Sequence, residues 1–539
     1  MEKILTAKID GRNMEDDFEI IDAILGSRNI EDVGSFLRPS EDDLIPFEEL
    51  KGIEEAAQVI IDAIDNDETF CIYFDNDLDG TTAGSIAYRY LKNYTDNVRT
   101  YIADGKVHGL EGLPLDVLDG VDVLWVVDSI NDSVKLYKDI LNKDIKIIIT
   151  DHHKIPQSLI DRDITIDDNV DIYLVSSANN YPNPDLTGAG VTWRLCNVID
   201  YLTLNDYSEE LYDLCCAGII GDMGSLESKE NRYLCHKGLT TLRNPAIKKL
   251  IGSYFFDAQS VQFSVAPAVN SLVRLNNNEA AMRIFMTDDE DEIDELVKSA
   301  KDSKTEQNSM VDDIIDGLLA QGEAQSDKQC KVFWITEEYK NLSGLLGNRL
   351  LSIYSTPLLV VRENGDLVTG SMRACGLKDF AMMVNETSLA TCSGHELAAG
   401  FECKKELFEQ FLEVIEDKLS TIEFKTEIEA DIEIEPCQVS DNLIKQLGAL
   451  NRISGSGFKP ITVLIRSNDY TVGFMSQGKH LKITDNESSM IFVKWNDGSY
   501  KDIPTDGEIV GVGTISTAYY GRTRYTQCVM NDYIVNTTK

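Results

Sequence analysis

Cys71-Ile72-Tyr73-Phe74-Asp75-Asn76-Asp77-Leu78-Asp79-Gly80 passes from four apolar residues straight into three acids at alternate positions. The stretch that follows, Thr82–Asn93, has the spacing of a helix. An apolar run that ends in acids and gives way to a helix is what a strand buried on both faces of a parallel sheet looks like. The same rhythm recurs downstream. Arg99–Ala103, Val121–Asp128 and Lys146–Thr150 read as further strands, with Asp132–Asn142 as a helix between them. Alternating strands and helices predict an α/β domain with a mostly parallel sheet, whose ligands bind at the carboxyl ends of the strands.

Four acidic clusters fall where apolar runs stop, and the reading places each at a strand end. They are Asp75-Asn-Asp77-Leu-Asp79, then Asp128 after Val-Leu-Trp-Val-Val, then Asp151-His152-His153 after Ile-Ile-Ile-Thr, and Asp222 after Ala-Gly-Ile-Ile-Gly. Taken singly, each has a bland explanation. An Asp after a strand is most often a turn or cap residue. The first cluster resembles a calcium loop but lacks the closing Glu of an EF-hand. Two adjacent His are ordinary in a core, although the whole chain has only 6 His. Taken together, they converge on one sheet edge, where carboxylates repel one another unless a cation sits among them. Carboxylate oxygens with one or two imidazoles suit Mn²⁺ or Mg²⁺, and a pair of such ions suits phosphodiester hydrolysis.

Outward from this region, the acidic, proline-free stretch from Asp288 to about Gln321 predicts one long solvated helix. Strand–helix alternation resumes at residues 331–424, with strands at Lys331–Ile335, Pro357–Arg362 and Leu367–Met372 and a helix near Lys405–Leu419. Residues 425–539, rich in Thr, Val, Ile and Tyr, predict a small β-barrel or sandwich, and the first 50 residues an acidic helical extension. The expected organisation is an extension (1–50), a catalytic domain (51–250), a connecting helical segment (251–330), a second α/β domain (331–424) and the barrel (425–539).

Composition narrows the function classes. At 539 residues and 43% hydrophobic, the chain can bury several cores. No run of 18 apolar residues predicts a membrane span, and the opening MEKILTAKID has no signal-peptide pattern. The 11 Cys are odd in number and contain no C-x-x-C pair, which argues against a disulfide framework and a structural zinc site. A cytoplasmic monomer is expected, in a host cell's cytoplasm if a phage carries the gene. The net charge of −42 repels polyanions on average. Nucleic acid would therefore be held by local Lys and Arg clusters and by bound cations.

The four clusters resemble the DHH phosphoesterase superfamily and, within it, RecJ-type single-strand exonucleases. Asp151-His152-His153 matches the signature that names the superfamily, and Gly188-Ala-Gly-Val191 its helix start. Leu342-Ser-Gly344-Leu-Leu-Gly-Asn-Arg349-Leu350, Gly370-Ser371-Met-Arg373 and Ser393-Gly394-His395-Glu-Leu-Ala-Ala-Gly400 are similar to the DHH-associated domain. Pro267–Arg274 resembles the segment before the connecting helix, and Gly455–Pro460 with Gly478-Lys479-His480-Leu-Lys482 the RecJ OB-fold. By that resemblance Asp77, Asp79, Asp128, His152 and Asp222 are metal ligands, with Asp128 bridging two ions. Asp75 and Asp151 support them or share in ligation, and His153 and His395 touch the reacting phosphate. Arg274, Arg349, Ser371, Arg373, Gly394, Lys479 and His480 hold the substrate.

The resemblance implies a 5′→3′ exonuclease on single-stranded DNA, with RNA as the alternative polymer and replication or repair proteins as partners. Four departures bear on grip rather than chemistry. Tyr73 stands where many relatives carry His, Ala268 replaces an Arg, Ser393 replaces a Gly, and the loop Lys106-Val-His108-Gly109-Leu110 is short. The Tyr and Arg residues around Tyr519–Tyr525 fit either a base-stacking surface or an ordinary exposed strand. Two competing readings stand beside the exonuclease: a phosphodiesterase of short oligonucleotides or cyclic dinucleotides, and a catalytically silent scaffold.

Overall fold

The structure is a computed structural model that describes residues 3–103, 109–160, 172–252, 256–422, 426–504, 506–520 and 523–536. Lys106, His108 and Arg522, which belong to the loop and the Tyr–Arg stretch above, lie outside the described residues. Contacts divide the chain into two units. One comprises Asn13–Lys304 with Val439–Ile461, the other Met1–Arg12 with Thr305–Gln438 and Thr462–Lys539. Among the described residues, no helix is long and apolar enough to cross a membrane.

The first unit is built on a five-stranded, all-parallel sheet. Its strand order is Val98–Ile102, Phe70–Phe74, Val123–Val127, Lys146–Asp151, Ile172–Ser176. The central strands are apolar without alternation because both faces are covered. Cys71, Tyr73, Leu124, Val126, Ile147 and Ile149 join Tyr137 and Ile140 of the helix Val134–Leu141 in one core layer. Phe70, Ile72, Phe74, Trp125 and Ile148 are equally buried, and the helices Leu78–Leu91 and Gly188–Thr203 pack on the sheet. Full burial of each such side chain stabilises the fold by ~1.5–3 kcal/mol. Helix and strand approach closely at Gly84, where a Cβ would stand 2.3 Å from the Phe74 ring.

The chain leaves Phe70–Phe74 for the Val98 edge, then returns to the other side of Phe70–Phe74 to form Val123–Val127. The strand order thus reverses between these two neighbours, and a crevice opens at their carboxyl ends. Asp75 and Asp128 are the residues that follow the two strands.

In the second unit, Ala390–His395, Ala398–Lys404, Leu367–Arg373, Leu358–Asn364 and Lys331–Trp334 form a five-stranded sheet, parallel only at its last pair. The C-terminal strands correct the expectation of a barrel. They belong to an eight-stranded mixed sheet whose edges are Lys3–Asp10 and Tyr470–Met475, and it does not close among the described residues. Closure depends on which edges pair, and composition carries no information about that. Lys3–Asp10 runs parallel to Thr426–Glu433, so the chain opens on a strand before the expected helical stretch, Asp17–Ser27 and Val33–Leu37. The long acidic helix spans Glu290–Glu323.

Candidate metal centre

Three stretches bring acids to the crevice from the strand ends. Asp75 follows Phe70–Phe74, Asp128 follows Val123–Val127, and Asp151 closes Lys146–Asp151 with His152 and His153 after it. Asp77 caps the helix Leu78–Leu91, accepting from the Gly80 N–H at 3.0 Å, which places Asp79 in the first turn. Gly80 is required there, since a Cβ would lie 2.6 Å from Asp75 Cβ and 2.7 Å from its carbonyl oxygen.

Asp222 arrives differently from the expectation. The run before it is a helix, Tyr212–Gly221, buried on nearly all sides, and Asp222 is its C-terminal cap rather than a strand end. A short apolar run bounded by glycines has the same appearance in either state, because periodicity vanishes when every face is buried. The carboxylate still reaches the cluster.

His152 Nε2 lies 3.3 Å from Asp128 Oδ1, 3.4 Å from Asp222 Oδ2 and 4.0 Å from Asp79 Oδ2. His153 Nδ1 lies 2.8 Å from Asp151 Oδ1 and 3.6 Å from Asp128 Oδ1. Three overlapping sets have ligand atoms mutually within 4.8 Å: Asp75, Asp77 and Asp128; Asp79, His152 and Asp222; and Asp128, Asp151, His152 and His153. Asp128 and His152 are each shared by two of them. Asp128 also has a left-handed backbone, φ 55°, rare for a residue with a side chain.

Several groups outside the expected ligand set hold this geometry. Asp79 sits at the amino end of the helix Gly188–Thr203. It accepts from the Thr187 hydroxyl at 2.8 Å, the Gly188 N–H at 2.7 Å and the Ala189 N–H at 3.1 Å. These amides are the unsatisfied donors of a helix start, and the helix dipole favours an anion there. The available cue was a Thr at the capping position before Gly188-Ala-Gly-Val191. Asp151 accepts from the amides of Ile130, His152 and His153, which fixes the turn carrying both imidazoles. Ser129 donates to Asp75 Oδ1 at 3.0 Å. Tyr73, noted above as a departure from the family pattern, is buried in the core layer with its hydroxyl donating to the Gly109 carbonyl.

The electrostatics favour a cation among these side chains. Burial, then the charges of Asp222 and Asp77, push the Asp79 carboxyl well above its ordinary value. Burial and the neighbouring acids, Asp79 first, do the same to Asp128. Asp222 is pushed up to about 7, by burial and then by Asp77. For Asp151, burial acts to raise the value but the His153 hydrogen bond and charge outweigh it, so the carboxyl is lowered. His153 is raised to about 9 by its bond to Asp151, while burial and then His153 lower His152. Asp128 Oδ1 and His152 Nε2 are buried with no hydrogen-bond partner among the described residues. Such crowding is expensive for anions alone. A hard divalent cation with oxygen and imidazole ligands meets each of these demands, so the donor set fits Mn²⁺ or Mg²⁺.

Arg274 ends the helix Ala266–Arg274. Burial lowers its value and the charge of Asp77 acts the other way, so the guanidinium stands within the field of the cluster.

The remaining expected contact residues lie in the other unit. Arg373, Ala398 and His395 are in register across three strands, as are Ser371, Gly400 and Ser393. Ser371 Oγ lies 2.9 Å from Ser343 Oγ, and Arg373 Nε donates to Asn348. Both partners belong to the helix Ser343–Tyr354, which also carries Arg349, paired with Asp312 at 3.1 Å. Gly394 has φ 136°, a backbone that suits glycine. Lys479 follows the turn Ser476–Gly478, and His480 begins a strand of the eight-stranded sheet, with its ring edge-on to exposed Trp495 at 4.9 Å.

Residues 69–219 match the DHH family, N-terminal domain. A Bacillus subtilis protein, the putative SPbeta prophage-derived single-strand DNA-specific exonuclease YorK, is 28% identical over 470 residues, 80% of each chain. The single-stranded-DNA-specific exonuclease RecJ of Bacillus subtilis is 26% identical over 535 residues, 93% of this chain and 66% of that protein. In fold, the chain is similar to the crystal structure of RecJ in complex with Mn²⁺ from Thermus thermophilus, with a TM-score of 0.77 at 21% identity, covering 98% of this chain and 79% of that one.

Proposed function

From a chain that carries a DHH-family N-terminal domain, we propose a metal-dependent phosphodiesterase that degrades single-stranded DNA as a 5′→3′ exonuclease. The observation that carries this reading is the crowding of Asp75, Asp77, Asp79, Asp128, Asp151, His152, His153 and Asp222 at the sheet's switch point, with buried Asp128 and His152 atoms left unpartnered. The exonucleases YorK and RecJ, similar over most of the chain, supply the substrate class.

Asp77, Asp79, Asp128, His152 and Asp222 would hold the cations. Bound there, two divalent ions supply Lewis acidity toward phosphate oxygens and a water of lowered pKa. The protein's own part is positional. Thr187 and the helix amides orient Asp79, and Asp151 orients the turn of the two His. His153, half exposed and kept cationic by Asp151, binds the phosphate under attack, and Arg274 adds positive charge on the Asp77 side. In the other unit, His395, Arg373, Ser371, Gly394, Arg349, Lys479 and His480 are the residues this reading assigns to single-stranded DNA. The enzyme acts as a cytoplasmic monomer, with replication or repair proteins as its partners.

Digestion of single strands labelled at the 5′ or the 3′ end, DNA beside RNA, in Mn²⁺, tests the reading. Early release of 5′-labelled mononucleotides from DNA is expected. Turnover of dinucleotides alone, leaving long strands intact, contradicts it and favours a small-substrate phosphodiesterase.

A further inference from the structure

Tyr73 lies on the strand Phe70–Phe74, which Asp75 follows, fully buried, in a layer of apolar side chains. Its hydroxyl donates to the Gly109 carbonyl at 2.7 Å. The Gly109 N–H donates to Ser129 Oγ at 2.9 Å, and the Ser129 hydroxyl donates to Asp75 Oδ1 at 3.0 Å. Burial pushes the phenol above its ordinary value, so Tyr73 remains a neutral donor.

Each link in this chain is constrained. Gly109 has φ 78°, and a Cβ there would stand 2.5 Å from Asn131 Cβ, so its backbone lies directly against the segment after Ser129. A serine hydroxyl has a single proton and rotates to suit its surroundings. With Gly109 N–H donating to the oxygen, that proton is directed at Asp75. Ser129 also follows Asp128, whose left-handed backbone needs surroundings that hold it in place. Asp75, Asp77 and Asp128 form one of the three ligand sets.

We propose that Tyr73, Gly109 and Ser129 form a hydrogen-bond relay that fixes the Asp75 carboxylate for cation binding, with Tyr73 a positioning residue rather than a ligand. The proposal rests on the metal-dependent reading of the cluster. The tyrosine at this place in the strand then has a specific role, since it ties the backbone of Gly109, on a separate loop, to the acid two residues further along the chain. Partners that orient ligands in this way typically contribute about 10–100-fold to metal affinity.

Tyr73→Phe keeps the ring and removes only the hydroxyl. Ser129→Ala removes the donor to Asp75 directly. Calorimetric titration of the full-length chain with Mn²⁺ is expected to show affinity ~10-fold weaker for Ser129→Ala and several-fold weaker for Tyr73→Phe, with the double variant no weaker than Ser129→Ala alone. In the metal-free protein, hydrogen exchange at the Gly109 amide should quicken in Tyr73→Phe. Unchanged Mn²⁺ affinity in Tyr73→Phe, including the case of a lowered melting temperature alone, overturns the relay. So do losses that multiply in the double variant, which indicate independent effects. A wild-type chain that binds no Mn²⁺ overturns the metal-dependent reading itself and the relay with it.

Discussion

Replacing Gly188 by alanine tests how tightly the site is built. Gly188 opens the helix Gly188–Thr203, and its amide is bonded to Asp79. A Cβ built there would stand 2.6 Å from both Asp128 Cβ and Asp128 Oδ1 and 2.8 Å from Cγ, against the 3.4 Å at which such contacts become ordinary. The shortfall from 3.4 to 2.6 Å is 0.8 Å, and something must move by about that much. The helix end is held by its bonds to Asp79, so the displacement falls largely on the Asp128 carboxylate. Overpacking of this kind costs ~1–3 kcal/mol, and a shift of about 1 Å in a reacting group costs roughly 10²-fold in rate. Gly188→Ala is therefore expected to lose about two orders of magnitude in Mn²⁺-dependent nucleotide release from a labelled single strand, with a modest loss in urea stability. Gly317→Ala is the matched control, because a Cβ there meets nothing within 4 Å in the helix Glu290–Glu323. It should keep full activity and gain ~0.5–1 kcal/mol. Wild-type rates in Gly188→Ala would refute the claim that Asp128 has no room to move.

Other perturbations have equally definite outcomes. Asp128→Asn should abolish Mn²⁺-dependent cleavage while raising the melting temperature of the metal-free protein at pH 8, since it removes one of the crowded buried carboxyls; retained cleavage would contradict the central role of Asp128. Thr187→Val removes the hydroxyl donor to Asp79 and should weaken Mn²⁺ binding by ~10-fold, as calorimetry will show. Burial and the neighbouring acids raise Asp79, Asp128 and Asp222, Asp222 to about 7, and the Asp151 bond raises His153 from 6.5 to about 9. All these shifts are upward, so each group's contribution to stability is lost as pH rises, and for His153 that loss falls between 6.5 and about 9. Melting of the metal-free protein should fall across that window, while Mn²⁺ binding at pH 7 releases protons, measurable by calorimetry in buffers of different ionisation enthalpy. Flat melting and no proton release would show that the carboxyls are already ionised.

The parallel sheet was legible because its central strands are buried on both faces, which leaves continuous apolar runs, and three of those runs end in the acids that converge. What the sequence hid follows from where the information lies. Ile172–Ser176 is a partly exposed edge strand with a weaker apolar signal. Asp222 was legible as one of the acids that converge, but its helix was indistinguishable from a buried strand. Thr187 bonds Asp79 across a separation of 108 residues, and the Tyr73–Gly109 contact spans 36. Such contacts exist only once the crevice has formed. The pairing of Lys3–Asp10 with Thr426–Glu433 is another long-range choice that local pattern cannot announce.

A crystal of the protein grown with Mn²⁺ and measured at the manganese absorption edge tests the centre most directly. Two anomalous peaks about 3.5–4 Å apart, within reach of Asp77, Asp79, Asp128, His152 and Asp222 and bridged by Asp128, are the expected result. Peaks elsewhere, or none among these side chains, would contradict the account.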